Sequence, residues 1–228
     1  MNIIRFDIIS AVPETFDSVI NSSILKIAKE KDIAEYNVIN LHDYSSDKWG
    51  HIDDIPYGGG AGMIIKCEPV FNCIEKLKKE RNYDEIIYLT PDGEKLNQTI
   101  SNELSLKSNI MLLCGHYKGI DFRIREKLIT REISIGDFVL SGGELPALVL
   151  IDSVVRLLPG VIGDAQSALE DSFMNNLIEA PIYTRPSDFR GQKVPEVLLN
   201  GNHALIQQWK EQKSLEMTKL KRPDLLKD

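Results

Sequence analysis

Residues 134–146 read Ser134-Ile135-Gly136-Asp137-Phe138-Val139-Leu140-Ser141-Gly142-Gly143-Glu144-Leu145-Pro146. The stretch sets three glycines and an apolar run directly ahead of a strongly apolar segment, residues 144–158, with helical character. Glycine lets a ligand approach the main chain closely and tolerates positive φ. A strand, a glycine turn and a helix in this order suit a flat heterocycle held by backbone N–H and C=O groups. They do not suit a triphosphate, because no Lys-Ser or Lys-Thr pair follows the glycines. Taken alone, the stretch reads first as a plain Gly-Gly turn between a strand and a helix, and the rest of the chain shifts that reading.

Working outward, apolar runs alternate with helical patterns. Residues 3–9, 36–41, 86–90, 109–114 and 131–135 read as strands. Residues 13–31, 68–81, 97–106, 120–129 and 144–158 carry helical spacing. Pro91-Asp92-Gly93 reads as a stop for the third strand, and residues 42–66 as one long loop. Such alternation predicts an α/β fold with a mainly parallel, covered sheet. After Gly160 the texture changes. Residues 161–176 mix glycine, serine and acids and read as a linker. The prolines at 181, 186 and 195 make residues 180–202 irregular, and residues 203–209 and 214–221 look helical. The expected division is a body over residues 1–160, a linker over 161–176 and a small helical domain over 177–228.

The 228 residues carry a net charge of −7, which argues against a nucleic-acid partner. The charge is uneven, however. Residues 182–228 hold nine Lys/Arg against six Asp/Glu, so the remainder is strongly acidic. A basic tail on an acidic body fits a small RNA-contacting module and fits a solvated helical surface equally. The N-terminus lacks the pattern of a signal peptide, and the most apolar stretch is broken by Asp152, Arg156 and Pro159. The three cysteines, Cys67, Cys73 and Cys114, have no zinc spacing and read as reduced core thiols of a cytoplasmic protein.

Other candidate motifs discriminate by what fails. Tyr57-Gly58-Gly59-Gly60-Ala61-Gly62-Met63 has the wrong register for a dinucleotide fingerprint and no P-loop lysine. It remains a flexible loop able to lie against a bulky ligand. Tyr88-Leu89-Thr90-Pro91 and Leu113-Cys114-Gly115 stand at strand ends, where ligands of open α/β sheets bind. Arg156 falls late in an apolar helix, where a charge needs a partner or a ligand. Asp171 reads as a helix cap, a solvated acid or a working carboxylate. No Gly-x-Ser-x-Gly elbow and no metal-ligand spacing is present.

In order, these segments resemble the bacterial tRNA (guanine-N1)-methyltransferase family, TrmD, of the SPOUT superfamily. The resemblance covers essentially the whole chain. It rests on Pro56-Tyr57-Gly58-Gly59-Gly60, on Cys114-Gly115-x-Tyr117-x-Gly119-Ile120-Asp121, and on residues 134–146. It continues through Pro159-Gly160-Val161, Glu170-Asp171-Ser172-Phe173, Tyr183-Thr184-Arg185-Pro186 and Gly201-Asn202-His203. It implies an α/β body with a deep trefoil knot, a small helical C-terminal tRNA-binding domain, and a homodimer with the active site across its interface. It also implies methyl transfer from S-adenosylmethionine to N1 of the tRNA guanine 3′ of the anticodon. A knotted ribose 2′-O methyltransferase and a catalytically inactive RNA-binding protein are the rival readings.

Residue by residue, the resemblance assigns Tyr88, Leu89, Pro91, Gly115, Ile135, Gly136, Asp137, Phe138, Val139, Leu140, Gly142, Gly143 and Pro146 to the methyl-donor pocket. It assigns Asp171 to the general base and Arg156 to the guanine O6. Tyr57, Gly58, Gly59, Asn202 and His203 are assigned to substrate contacts. One departure matters. Lys118 stands where the family has a glutamate tied to a magnesium requirement, so the resemblance leaves Mg2+ use and its site open.

Overall fold

Alternating apolar residues on both faces of the strands place those strands at the centre of one sheet. The computed structural model describes residues 3–162, 172–173 and 175–226. The chain divides into two compact units, residues 1–163 and 164–228.

In the first unit β1 (Ile4–Ser10) leads through a 3-10 turn, α1 (Asp17–Ile20) and α2 (Ser23–Glu30) to β2 (Ala34–Asn40). A two-stranded ladder, β3 (Asp53–Asp54) with β4 (Ile64–Ile65), precedes α3 (Cys67–Glu80). Then come β5 (Glu85–Lys95), α4 (Gln98–Ser105), β6 (Asn109–Cys114), α5 (Phe122–Leu128), β7 (Arg131–Ser134) and α6 (Glu144–Val155). The sheet order is β2-β1-β6-β5-β7, and every pairing is parallel. Side chains alternate across a strand, so β6 sends Ile110, Leu112 and Cys114 into one core cluster and Met111 and Leu113 into the other. The first cluster packs beneath α2, α4 and α6. The second packs beneath α3 and α5. Burial on both faces is what a parallel sheet requires.

Three expectations change in the first unit. The helix expected over residues 13–31 is broken between α1 and α2. The Asn21 amide donates to the Asp17 carbonyl at 2.8 Å and the Ser22 hydroxyl to the Val19 carbonyl at 3.0 Å. Short polar side chains of this kind compete with the helical ladder. The strand expected to stop before Pro91 instead runs to Lys95. Leu89 and Glu94 both lie opposite Ile133, so the residues between them bulge out of the ladder. Proline is tolerated at such a bulge because no ladder N–H is needed there. The loop over 42–66 contains the β3–β4 ladder, which ties its middle to its C-terminal end.

The second unit holds a hairpin of β8 (Asp188–Phe189) and β9 (Gln192–Lys193), followed by α7 (His203–Lys221). The two helices expected over 203–209 and 214–221 are one. Gln212 and Lys213 both reach Glu216, at 2.9 and 2.6 Å, and i,i+3 and i,i+4 pairs of this kind carry a helix through a polar stretch. Within this unit the Ser214 hydroxyl donates to the Ile178 carbonyl at 2.5 Å, and the Ile178 N–H donates to Thr218 Oγ1 at 2.8 Å. Among the described residues no helix is long and apolar enough to cross a membrane.

Candidate functional site

Parallel strands present all their carboxyl ends on one side, and a cavity of about 310 Å³ opens there. Residues 88–92, 115–120 and 133–143 supply its walls, except Asp137, and Arg125 and Pro146 complete them. The β5 bulge carries residues 90–92 into the wall. The cavity is thus a product of the strand irregularity as much as of the glycine turn.

The floor is a seam between two backbones. The Gly143 N–H donates to the Gly115 carbonyl at 2.8 Å, and His116 bridges antiparallel to Gly142. A Cβ on Gly143 would stand 2.7 Å from Cys114 Cα and 2.8 Å from Gly115 N, so only glycine fits against this strand end. Glu144 is buried in the first turn of α6, where the helix N-terminus favours negative charge, and its Oε1 accepts from Ser10 Oγ at 2.7 Å. Cys114 is fully buried, and burial first, then the nearby Glu144 charge, pushes its thiol well above the usual range. It is a packing residue, not a nucleophile.

One wall is electrostatically closed. Arg125 donates twice to Glu132, at 2.6 Å each, and once to Asp92 at 2.8 Å. The Thr90 hydroxyl also donates to Asp92. These bonds, Thr90 first and Arg125 second, hold the Asp92 carboxyl below its usual value. The Arg125 guanidinium lies 5.6 Å from the ring centres of Tyr88 and Phe122, within cation–π range. Burial in turn raises the Tyr88 phenol. Opposite, His116 Nδ1 is enclosed with no hydrogen-bond partner among the described residues.

Of the thirteen residues assigned to the donor pocket, twelve line this cavity. Asp137 does not. Its largely exposed carboxylate pairs with Lys95 at 2.6 Å on the outer surface. Tyr57 is fully exposed, and Gly58 and Gly59 sit in an open loop with nothing within 4 Å of where a Cβ would be. Arg156 caps α6 at its C-terminal end, twelve residues after Glu144. At 1.5 Å per residue it stands roughly 18 Å along the helix from the cavity floor. In the second unit Asn202 caps α7, its Oδ1 accepting from the Leu205 N–H at 3.3 Å, and His203 is the first, exposed residue of that helix. Asp171 lies outside the described residues.

Asp92, His116, Lys118 and Arg125 were not singled out from sequence as pocket residues. Asp92 follows Thr90-Pro91 directly, and that neighbouring strand end was the available signal. Arg125 gave none, since an arginine on an amphipathic helix reads as solvated. Among the described residues no group of three or more His, Cys, Asp or Glu side chains could hold a metal ion. The charged residues on the cavity wall are Asp92, Lys118 and Arg125, a set that does not fit a divalent cation.

A covered parallel sheet with a glycine-floored cavity over its carboxyl strand ends defines an α/β protein with its cavity where open sheets of this kind bind ligands. The chain belongs to the tRNA (guanine-1)-methyltransferase family, TrmD, whose model matches residues 4–228. It is 61% identical over 222 residues to the tRNA (guanine-N(1)-)-methyltransferase of Chlorobium chlorochromatii, covering 97% of this chain and 96% of that one. It is 57% identical over 224 residues to the enzyme of the same name from Bacteroides thetaiotaomicron, covering 98% and 100%. The crystal structure of the tRNA (m1G37) methyltransferase from Aquifex aeolicus superposes with a TM-score of 0.80 at 40% identity, covering 99% of this chain and 95% of that one.

Proposed function

We propose that the chain transfers a methyl group from S-adenosylmethionine to N1 of the tRNA guanine on the 3′ side of the anticodon, position 37. The observation that carries this reading is the glycine-floored cavity, twelve of whose lining residues are those the family resemblance assigns to the methyl donor. Bound there, the donor supplies an electrophilic methyl on a sulfonium. The chain's own residues bind the donor, orient it and move one proton. Backbone groups of residues 135–143 hold the flat base, and Leu89, Pro91 and Pro146 exclude water around it.

Guanine N1 is a poor nucleophile until its proton leaves. Asp171 takes that proton as the methyl moves, and Arg156 stabilises the negative charge that develops on O6. Arg156 caps the end of α6 remote from the cavity floor, which supports a site that combines the cavity of one copy of the chain with the arginine of another. The exposed apolar residues Val139, Leu145 and Val149 support a homodimer, with the donor cavity of one protomer facing the Arg156 end of its partner. The seam of Gly115 and Gly143 is consistent with a trefoil knot, in which the segment after β7 threads back against β6. Residues 1–160 then form the donor-binding body, 161–176 the linker and 177–228 the tRNA-binding domain, with Tyr57, Gly58, Gly59, Asn202 and His203 toward the RNA. Free thiols at Cys67, Cys73 and Cys114 fit a cytoplasmic enzyme.

The test is methyl transfer from labelled donor to a tRNA transcript bearing guanine at position 37 and to one bearing adenine. Label is expected in the guanine transcript only, because adenine has no O6 for Arg156 to stabilise and no N1 proton to shed, so methylation at its N1 would leave a positive charge beside that arginine. Absence of label in the guanine transcript would overturn the reading.

A further inference from the structure

The cavity wall carries three charged side chains, and two of them are spent on each other. Arg125 is engaged by Glu132 and Asp92, and Asp92 by Arg125 and Thr90. Lys118 is the third. Its ammonium makes no ion pair or hydrogen bond among the described residues, and the residue is part of the cavity lining. The wall therefore offers one uncompensated positive charge.

That side chain has a built seat. The Lys118 N–H donates to the Met63 carbonyl at 3.0 Å, and the Gly119 N–H closes a turn to the His116 carbonyl at 3.0 Å. The Ile65 N–H donates to the Gly119 carbonyl at 3.0 Å, tying the turn to the end of the glycine-rich loop. The aliphatic stem lies on Gly62, where a Cβ would stand 3.0, 3.1 and 3.2 Å from Lys118 Cγ, Cδ and Cε. Gly62 also has φ +95°. A side chain at 62 would meet the whole length of the lysine stem. With the stem held this way, part of the rotamer entropy that a lysine loses on binding is already lost.

We propose that Lys118 reads the carboxylate at the amino-acid end of the methyl donor, and so selects the donor over its decarboxylated form; this rests on the donor reading given above. The donor carries two cations, the sulfonium and the ammonium, and one anion, the carboxylate. A lone ammonium on the wall repels the cations and attracts the anion. Its charge thus fixes which end of the ligand faces residues 116–119 and keeps the sulfonium away from that end. His116 Nδ1 cannot serve instead, because it is enclosed.

Calorimetric titration with S-adenosylmethionine and with decarboxylated S-adenosylmethionine tests this on the full chain, wild type and Lys118→Met. A charge-assisted hydrogen bond predicts that wild type prefers the carboxylated donor by about tenfold or more. Lys118→Met keeps the stem and is expected to lose that preference, binding the carboxylated form more weakly than wild type does and the decarboxylated form at least as well. Lys118→Arg is expected to restore most of it. Gly62→Ala, which displaces the stem from a distance, is expected to lower the same ratio. A preference unchanged in Lys118→Met overturns the assignment. So does an effect of Lys118→Met confined to tRNA affinity, which would place an RNA phosphate at this lysine. Failure of wild type to bind either form would instead overturn the donor reading on which the inference stands.

Discussion

Asp171→Asn is expected to cut methyl transfer by ~10²–10⁴-fold, the range a positioned general base contributes, while leaving donor affinity as it is. The carboxamide keeps the size and shape of the carboxylate but cannot accept the guanine N1 proton. The proposed donor cavity is built from strand ends and the residues 133–143 segment, and the proposal gives Asp171 the guanine proton and no part in holding the donor. The two quantities should therefore separate. Single-turnover transfer to a guanine-37 transcript measures one, and titration with S-adenosylhomocysteine measures the other. A variant that loses donor binding would show that Asp171 shapes the pocket and is not the base.

Gly143→Ala is expected to abolish donor binding and to destabilise the first unit. The added methyl would meet Cys114 Cα at 2.7 Å and Gly115 N at 2.8 Å, both main-chain atoms at the end of the central strand β6. Neither can move without breaking the 2.8 Å hydrogen bond from the Gly143 N–H to the Gly115 carbonyl. Overpacking of this kind costs about 1–3 kcal/mol, and here it also wedges open the cavity floor. Thermal melting with and without S-adenosylhomocysteine measures both effects. Wild type should melt higher with ligand, and the variant should melt lower and show no ligand shift. A ligand shift of wild-type size in Gly143→Ala would mean that the seam does not form the floor.

The sheet was legible in the sequence where burial dictates the residues. β6 and the start of α6 coincide with their apolar runs, because strands covered on both faces tolerate few polar side chains. The β5 extension was not legible. Pro91-Asp92-Gly93 is local turn chemistry, and only the pairing of both Leu89 and Glu94 with Ile133 on the neighbouring strand turns that stop into a bulge. That the stretch over residues 134–146 lines a cavity at the strand ends was legible from the glycines, yet the sequence could not separate Asp137 from its neighbours. Its partner Lys95 lies 42 residues away and draws it outward. Nor could it give the closed triad of Asp92, Arg125 and Glu132, which three separate elements bring together. Arg156 stood out as a charge in an apolar helix, but the axial distance that puts it beyond its own cavity emerges only once α6 is seen to begin at the floor and end at that residue.

The central claim is the atom that receives the methyl group. After reaction with wild-type enzyme, a guanine-37 transcript should be digested to nucleosides and the methylated product identified by mass spectrometry against standards, with reverse transcription of the intact RNA in parallel. N1-methylguanosine and a reverse-transcription stop at position 37 are expected, because a methyl on N1 blocks base pairing. A 2′-O-methylated nucleoside, or a methyl at another guanine atom with no stop, would contradict it.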